Sequence, residues 1–149
     1  MAQPIYVLNG PNLNLIGTRE PELYGRHTLA DIEQAVAARA KSHGLESVFR
    51  QSNQEGILVN WVQEARDNAM GLILNAGAYA HTSIALMDAC RALAKPVVEV
   101  HLSNIFRREH FRRRTTISEA CHGVIVGFGA QGYLLAVDAL AAMAKELQK

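Results

Sequence analysis

An α/β fold built on a parallel sheet is what this chain predicts, and three observations carry the prediction. Five short apolar runs recur along it: IYVLN (5–9), ESVFRQ (46–51), GLILNAG (71–77), PVVEVH (96–101) and GVIVGFG (123–129). Segments of helical periodicity separate them, and strands joined by helical crossovers lie parallel in one sheet. Polar side chains gather after the C-terminal ends of these runs, where open parallel sheets bind their ligands.

The first run passes into NGPNLNLIGTREPELYG (9–25), which Gly and Pro interrupt too often for helix or strand. A loop is expected there, carrying three asparagines, an arginine and a tyrosine. The first helix opens at Thr28, with Asp31 three residues on as a capping-box-like partner. Leu29, Ile32, Val36 and Ala40 form its apolar stripe, and Gly44 ends it. After the second strand a helix is expected from about residue 57 to 69. The third run leads into NAGAYAHTS (75–83), a glycine-containing turn before a helix. That third helix begins near Thr82 or Ser83, either of which can cap it. It stops before Lys95-Pro96, because the residue preceding proline resists the helical region. The fourth run is followed by the arginine-rich RREHFRRR (107–114), and the fifth by a last helix with Tyr133, Val137, Leu140, Ala144 and Leu147 on one face.

With 149 residues, 49% hydrophobic and 19% charged, the chain suits one compact domain, 1–149, with no repeat, linker or low-complexity segment. A formal net charge of +1 gives no overall field to attract nucleic acid or an anionic membrane, so a small partner is expected. No basic leader opens the sequence, and no apolar stretch approaches the roughly 18 residues of a membrane span, which reads as cytoplasmic. Cys90 and Cys121 form neither a C-x-x-C pair nor a disulfide-dense pattern and are expected as buried, reduced thiols.

The strand ends are rich in neutral hydrogen-bonding groups: Asn9 and Asn12 after the first, Ser52 and Asn53 after the second, Asn75 and His81 after the third, and His101, Ser103 and Asn104 after the fourth. Separated segments converging in this way suit a hydroxylated ligand. GFGAQG (127–132) is a literal G-x-G-x-x-G, so a nucleotide- or flavin-binding module is the alternative. The dinucleotide fingerprint, however, continues into a further strand ending in an acidic residue, and here one helix remains. Tight turning and close helix packing are the expected use of these glycines. A phosphoacceptor domain needs acidic residues where this chain has Asn9, Asn12 and Asn75.

Six histidines show no metal-ligand spacing, so no metal is expected. The four lysines, Lys41, Lys95, Lys145 and Lys149, are badly placed for a Schiff base, since none follows a strand. The 75–83 turn offers backbone N–H groups that can hold a carboxylate. Arg19 and Tyr24, five residues apart on a loop over the crevice, suit a base whose phenolate a cation favours. Moving a tyrosine from about 10 to near 7 takes roughly 4 kcal/mol. An exposed ion pair gives about 1 kcal/mol or less, so the loop has to close with more than one arginine nearby, and 107–114 supplies candidates.

Together NGPNLNLIGTREPELYG, RQSNQEG, NAGAYAHTSIALMDA, EVHLSNIFRREHFR and GVIVGFGAQGY resemble the type II 3-dehydroquinate dehydratases, in order over about residues 5 to 135. The resemblance implies a flavodoxin-like fold, with helices on both faces of a five-stranded parallel sheet, and a homododecamer built as a tetramer of trimers. The implied reaction is anti elimination of water from 3-dehydroquinate to 3-dehydroshikimate, without cofactor, metal or Schiff base. Tyr24 would be the base at C2, with Arg19 favouring its phenolate, and Asn12 would hold a water against the developing enolate oxygen. His101 would be the general acid, oriented by Glu99. Asn75, His81 and Arg112 would bind substrate hydroxyls, Leu102 and Ser103 the carboxylate. Asp88 would reach a neighbouring subunit's site, and Arg108 would join Arg19 on the lid. Departures from the family pattern are His110 for a second acidic residue, Trp61 for an aliphatic one and Ala76 for proline; none removes a proposed catalytic group.

Overall fold

The structure, a computed structural model, describes residues 2–18, 20–24 and 26–147; the side chains of Leu23, Tyr24 and Leu147 are outside that description. Five strands, β1 (Ile5–Asn9), β2 (Ser47–Gln51), β3 (Gly71–Asn75), β4 (Val97–His101) and β5 (Gly123–Val126), pair in parallel in the order β2-β1-β3-β4-β5. This is the flavodoxin-like order, in which the chain reverses direction across the sheet between β1 and β3. All of β1, β3 and β4 is buried, which is why these strands read as unbroken apolar runs. The edge strands β2 and β5 are largely half-buried.

Helices α2 (Leu29–Ser42), α3 (Glu55–Asn68), α4 (Ile84–Leu93) and α5 (Gln131–Leu147) cover both faces. Successive strand side chains point to opposite faces, so β1 splits between two cores. Tyr6 and Leu8 join Leu58 and Val62 of α3 and Leu86 and Cys90 of α4. Ile5 and Val7 join Ile32 and Val36 of α2 and Tyr133 and Val137 of α5.

The helix signals operate as the sequence specifies. Asp31 N–H donates to the Thr28 hydroxyl at 3.2 Å while the Asp31 carboxylate accepts from Thr28 N–H at 3.0 Å, closing the capping box. These bonds hold the Asp31 carboxyl below its usual range. Ser83, rather than Thr82, caps α4, accepting from Leu86 N–H at 2.9 Å. That helix ends at Leu93 with Ala94 left-handed, before Lys95-Pro96. The second expected helix, α3, begins two residues earlier than the periodicity suggests, because Glu55 and Gly56 add no apolar position to the stripe.

Two expectations require correction. The stretch from Asn9 to Gly25 is not wholly irregular: Asn9 ends β1, Leu13–Leu15 form a 3₁₀ turn and Pro21–Tyr24 a short helix, α1. Asn12 enters the left-handed region at φ 68°, which asparagine tolerates, and Pro21 occupies the first helical position, where its missing N–H costs nothing. Of the two free thiols, Cys90 is buried but Cys121 only half-buried, because it follows the surface turn Ile117–Ala120. Burial pushes the Cys90 thiol up to about 12 and raises that of Cys121 as well.

Candidate active site

The C-terminal ends of β1, β3 and β4 open onto a cavity of about 90 Å³, lined by Asn12, Asn75, His81, His101, Ser103 and Arg112 among others. Asn75 and His101 are the last residues of their strands, His81 ends the 3₁₀ helix Gly77–His81, and Asn12 stands on the turn leaving β1. A groove of about 810 Å³ adjoins the cavity, sharing Leu102, Ser103 and Arg108 and overlooked by Glu22 of α1. Size favours the groove, chemistry the cavity, which holds the facing imidazoles and convergent amides.

Close backbone approach brings these strand ends together. A Cβ on Gly10 would lie 2.2 Å from the Ala76 carbonyl oxygen, so only glycine lets the β1 exit run against the β3 exit. There Gly10 N–H donates to the Asn75 carbonyl at 2.8 Å. On the other side, Gly127 turns at φ +90° with Asn104 packed against it. Its N–H donates to the His101 carbonyl at 3.3 Å, and Gly129 N–H to that of Leu102 at 2.9 Å. The G-x-G-x-x-G run thus braces the β4 exit.

Asn75 is held at both ends of its amide. Its Nδ2 donates to the Tyr133 hydroxyl at 2.9 Å, and its Oδ1 accepts from Gly77 N–H at 3.2 Å. Tyr133 in turn donates to Asn9 Oδ1 at 2.6 Å, and Asn9 Nδ2 donates to the Arg50 carbonyl at 3.0 Å. Burial raises the Tyr133 phenol far above its ordinary range, so this hydroxyl stays neutral and keeps its proton. The Asn12 turn is fixed from β2: Asn12 N–H and Gln51 Nε2 both donate to Asn53 Oδ1 at 3.0 Å.

Glu99 and His101 are two apart on β4 and share one face. His101 Nε2 pairs with Glu99 Oε2, leaving Nδ1 as the ring nitrogen for the cavity. Glu99 is fully buried; its Oε1 accepts from the Ser118 hydroxyl at 2.5 Å and lies 3.5 Å from Thr115 Oγ1. The His81 ring stands 5.9 Å from that of His101, and its Nδ1–H donates to the Arg114 carbonyl at 2.8 Å. Burial pushes the His81 pKa down, against the opposing pull of that bond, and keeps the ring neutral near pH 7. Arg108 donates to Ser103 Oγ at 3.3 Å, and Arg112 Nε to Glu109 at 2.7 Å.

The structure therefore brings together Asn12, Asn75, His81, His101, Leu102, Ser103, Arg108 and Arg112, with Glu99 directly behind His101. Asp88 is not among them; it is exposed on α4. Arg19 lies outside the described residues, and so does the Tyr24 side chain, whose backbone ends α1. Sequence reasoning missed Ser118 and Thr115, and it took Tyr133 only as core. Glu99 and Ser118 are 19 residues apart in chain, and no local spacing announces a hydroxyl turned toward a strand carboxylate. Among the described residues no group of three or more His, Cys, Asp or Glu has metal-holding geometry, and no helix is long and apolar enough to cross a membrane.

Residues 3–141 match the family Dehydroquinase class II. The 3-dehydroquinate dehydratase of Phenylobacterium zucineum (strain HLK1) is 58% identical over 145 residues, covering 97% of this chain and 100% of the relative. That of Caulobacter vibrioides (strain ATCC 19089 / CIP 103742 / CB 15) is 56% identical over 139 residues, 93% of this chain and 95% of the relative. Among solved structures, the type II dehydroquinase from Propionibacterium acnes has a TM-score of 0.91 and 39% identity over 95% of this chain and 98% of its own. The type II dehydroquinase from Butyrivibrio crossotus DSM 2876 has the same score and identity over 93% and 97%. With its motifs, strand order and nearly full-length relatives in agreement, the chain belongs to the class II dehydroquinase family.

Proposed function

We propose that this protein removes water from 3-dehydroquinate by anti elimination, giving 3-dehydroshikimate through an enolate. The observation that carries the reading is the cavity in which Asn12, Asn75, His81 and His101 converge, with Glu99 paired to His101 from behind. Family membership supplies the substrate: the relatives that match over nearly their whole length are named for this reaction.

Tyr24, as phenolate, takes the C2 proton, and the electron pair left behind moves onto the C3 carbonyl oxygen as an enolate. A water held by Asn12 donates to that oxygen. When the enolate collapses, the C1=C2 bond forms as the C1 hydroxyl departs, protonated by His101. One turnover leaves the proton on Tyr24 and a deficit on His101, so a proton returns between them before the next. Arg19, joined by Arg108, favours the phenolate once the lid excludes water. The cavity fits the remaining roles. Asn75, His81 and Arg112 face the ring hydroxyls, and the backbone after β4, at Leu102 and Ser103, meets the carboxylate. Neutral His81, its Nδ1–H already committed to Arg114, presents Nε2 as an acceptor to a hydroxyl proton.

Asp88 belongs to this reading through assembly. Exposed on α4 and absent from its own cavity lining, it reaches a neighbouring subunit's site in a dodecamer built as a tetramer of trimers. The enzyme acts in the cytoplasm, and no cofactor takes part. The test is the absorbance of the conjugated enone product when purified protein meets dehydroquinate with nothing added. Turnover is expected. A protein inert to dehydroquinate but thermally stabilised by flavin mononucleotide would replace this reading with the nucleotide-binding one.

A further inference from the structure

Glu99 is the one fully buried carboxylate among the described residues. An ionised carboxylate away from water needs a donor on each oxygen, and His101 serves only one of them. The other oxygen accepts from Ser118, whose hydroxyl in turn contacts the Thr115 hydroxyl. A carboxylate only accepts, so the Ser118 proton points to Glu99, and the Thr115 proton is the one available to Ser118 Oγ. The two hydroxyls therefore converge on one Glu99 oxygen, Ser118 donating to it at 2.5 Å and Thr115 reaching both Ser118 Oγ and, at 3.5 Å, that same oxygen, with His101 on the far oxygen.

The turn that carries them is anchored. Thr116 N–H donates to the Ala80 carbonyl at 2.7 Å, Ile117 is fully buried, and Glu119 pairs with Arg91 of α4 at 3.2 Å. We infer that Ser118, backed by Thr115, is a positioning residue for the dehydration: it holds Glu99 as a charged acceptor on one side, so that its other oxygen fixes the His101 ring with Nδ1 toward the substrate. This rests on the dehydratase reading above. Ser118 does not line the cavity and is given no contact with substrate.

The other titratable groups around Glu99 are His101, His81 and the Cys90 and Cys121 thiols, with Arg112 as a fixed charge near His81. The thiols stay protonated, pushed up first by burial and then by the Glu99 charge. Loss of the Ser118 hydroxyl is therefore felt by the Glu99–His101 pair. A carboxylate deprived of its donor takes up a proton more readily, so the acid limb of the kcat–pH profile moves to higher pH.

The experiment compares parent, Ser118→Ala and Ser118→Thr on dehydroquinate across pH. Ser118→Ala is expected to lose roughly 10- to 100-fold in kcat, the range that a hydrogen bond to a charged group carries, with KM nearly unchanged and the acid limb raised. Ser118→Thr, which keeps the hydroxyl, restores the limb. An active parent whose Ser118→Ala variant keeps both kcat and limb overturns this inference alone. So does a loss shared by both variants with the limb unmoved, which marks a structural role. A parent with no turnover overturns the functional reading and this inference with it. If circular dichroism shows Ser118→Ala unfolded, Thr115→Val carries the test: a smaller shift in the same direction is expected, and an unmoved limb overturns the inference.

Discussion

Replacing Tyr133 by Phe isolates one hydroxyl that serves both the core and the site. The ring stays, and with it the packing of Tyr133 against its α2-side core and its 6.3 Å contact with Phe49, so no side-chain cavity opens. Two partners lose their bond: Asn9 Oδ1, which accepts at 2.6 Å, and Asn75 Nδ2, which donates at 2.9 Å. Asn9 is 0% exposed and has no route to water, so its orphaned oxygen costs the about 1–3 kcal/mol of an unsatisfied buried group. Asn75 lines the cavity, where a water can take over, and adds up to about 1 kcal/mol. The sum is about 1–4 kcal/mol. At about 2–4 °C per kcal/mol for a domain of this size, Tm falls by roughly 2–16 °C.

The assay is unfolding followed by fluorescence of Trp61, the sole tryptophan, beside the Arg50 guanidinium. Parent and variant are compared at equal protein concentration, so that any dependence of the midpoint on concentration cancels. Kinetics provide the second arm. With the Tyr133 hydroxyl gone, the Gly77 N–H at 3.2 Å is the one remaining bond that orients the Asn75 amide among the described residues. An amide that grips ground and transition states alike then weakens binding, so KM rises more than kcat falls. A midpoint within about 1 °C of the parent would refute the energetic reasoning, and a fall in kcat at constant KM would refute the role given to Asn75.

Two further predictions concern the imidazoles and the lid. Burial depresses the pKa of His81 in the fold, so as pH drops below the unfolded value near 6.5 the unfolded chain gains a proton that the folded chain refuses, and stability is lost from there down to the folded pKa. His81→Gln should remove part of that acid sensitivity, seen as a smaller loss of Tm between pH 7 and pH 5 on the order of that window; an unchanged loss would show that other groups set it. For the division of labour, His101→Ala should lose about 10²- to 10⁴-fold in product formation yet still exchange the C2 proton with deuterated solvent, while Tyr24→Phe blocks both. NMR of recovered substrate reads the deuterium, and normal exchange in Tyr24→Phe would remove Tyr24 from the role of base.

What the sequence discloses about this site follows from where each residue's partner lies. Asn75 and His101 were legible because a parallel sheet exposes the residues at its strand ends, and both end apolar runs whose limits composition marks. The same logic found the Thr28 cap, whose partner is three residues away. Ser118 and Tyr133 stayed hidden for the converse reason: their partners Glu99 and Asn9 are 19 and 124 residues distant, and only the completed sheet brings them within reach. Tyr133 also fits the helical apolar stripe so well that its ring concealed its hydroxyl. Local chemistry therefore points to the groups that line the cavity, whereas the groups that hold them are chosen by tertiary packing. The lining groups answer to one crevice, while each supporting donor answers to a single buried acceptor. A buried acceptor such as Glu99 Oε1 requires some donor but leaves its place in the chain open, and the turn after the arginine run happens to supply it because Ile117 anchors that turn in the core.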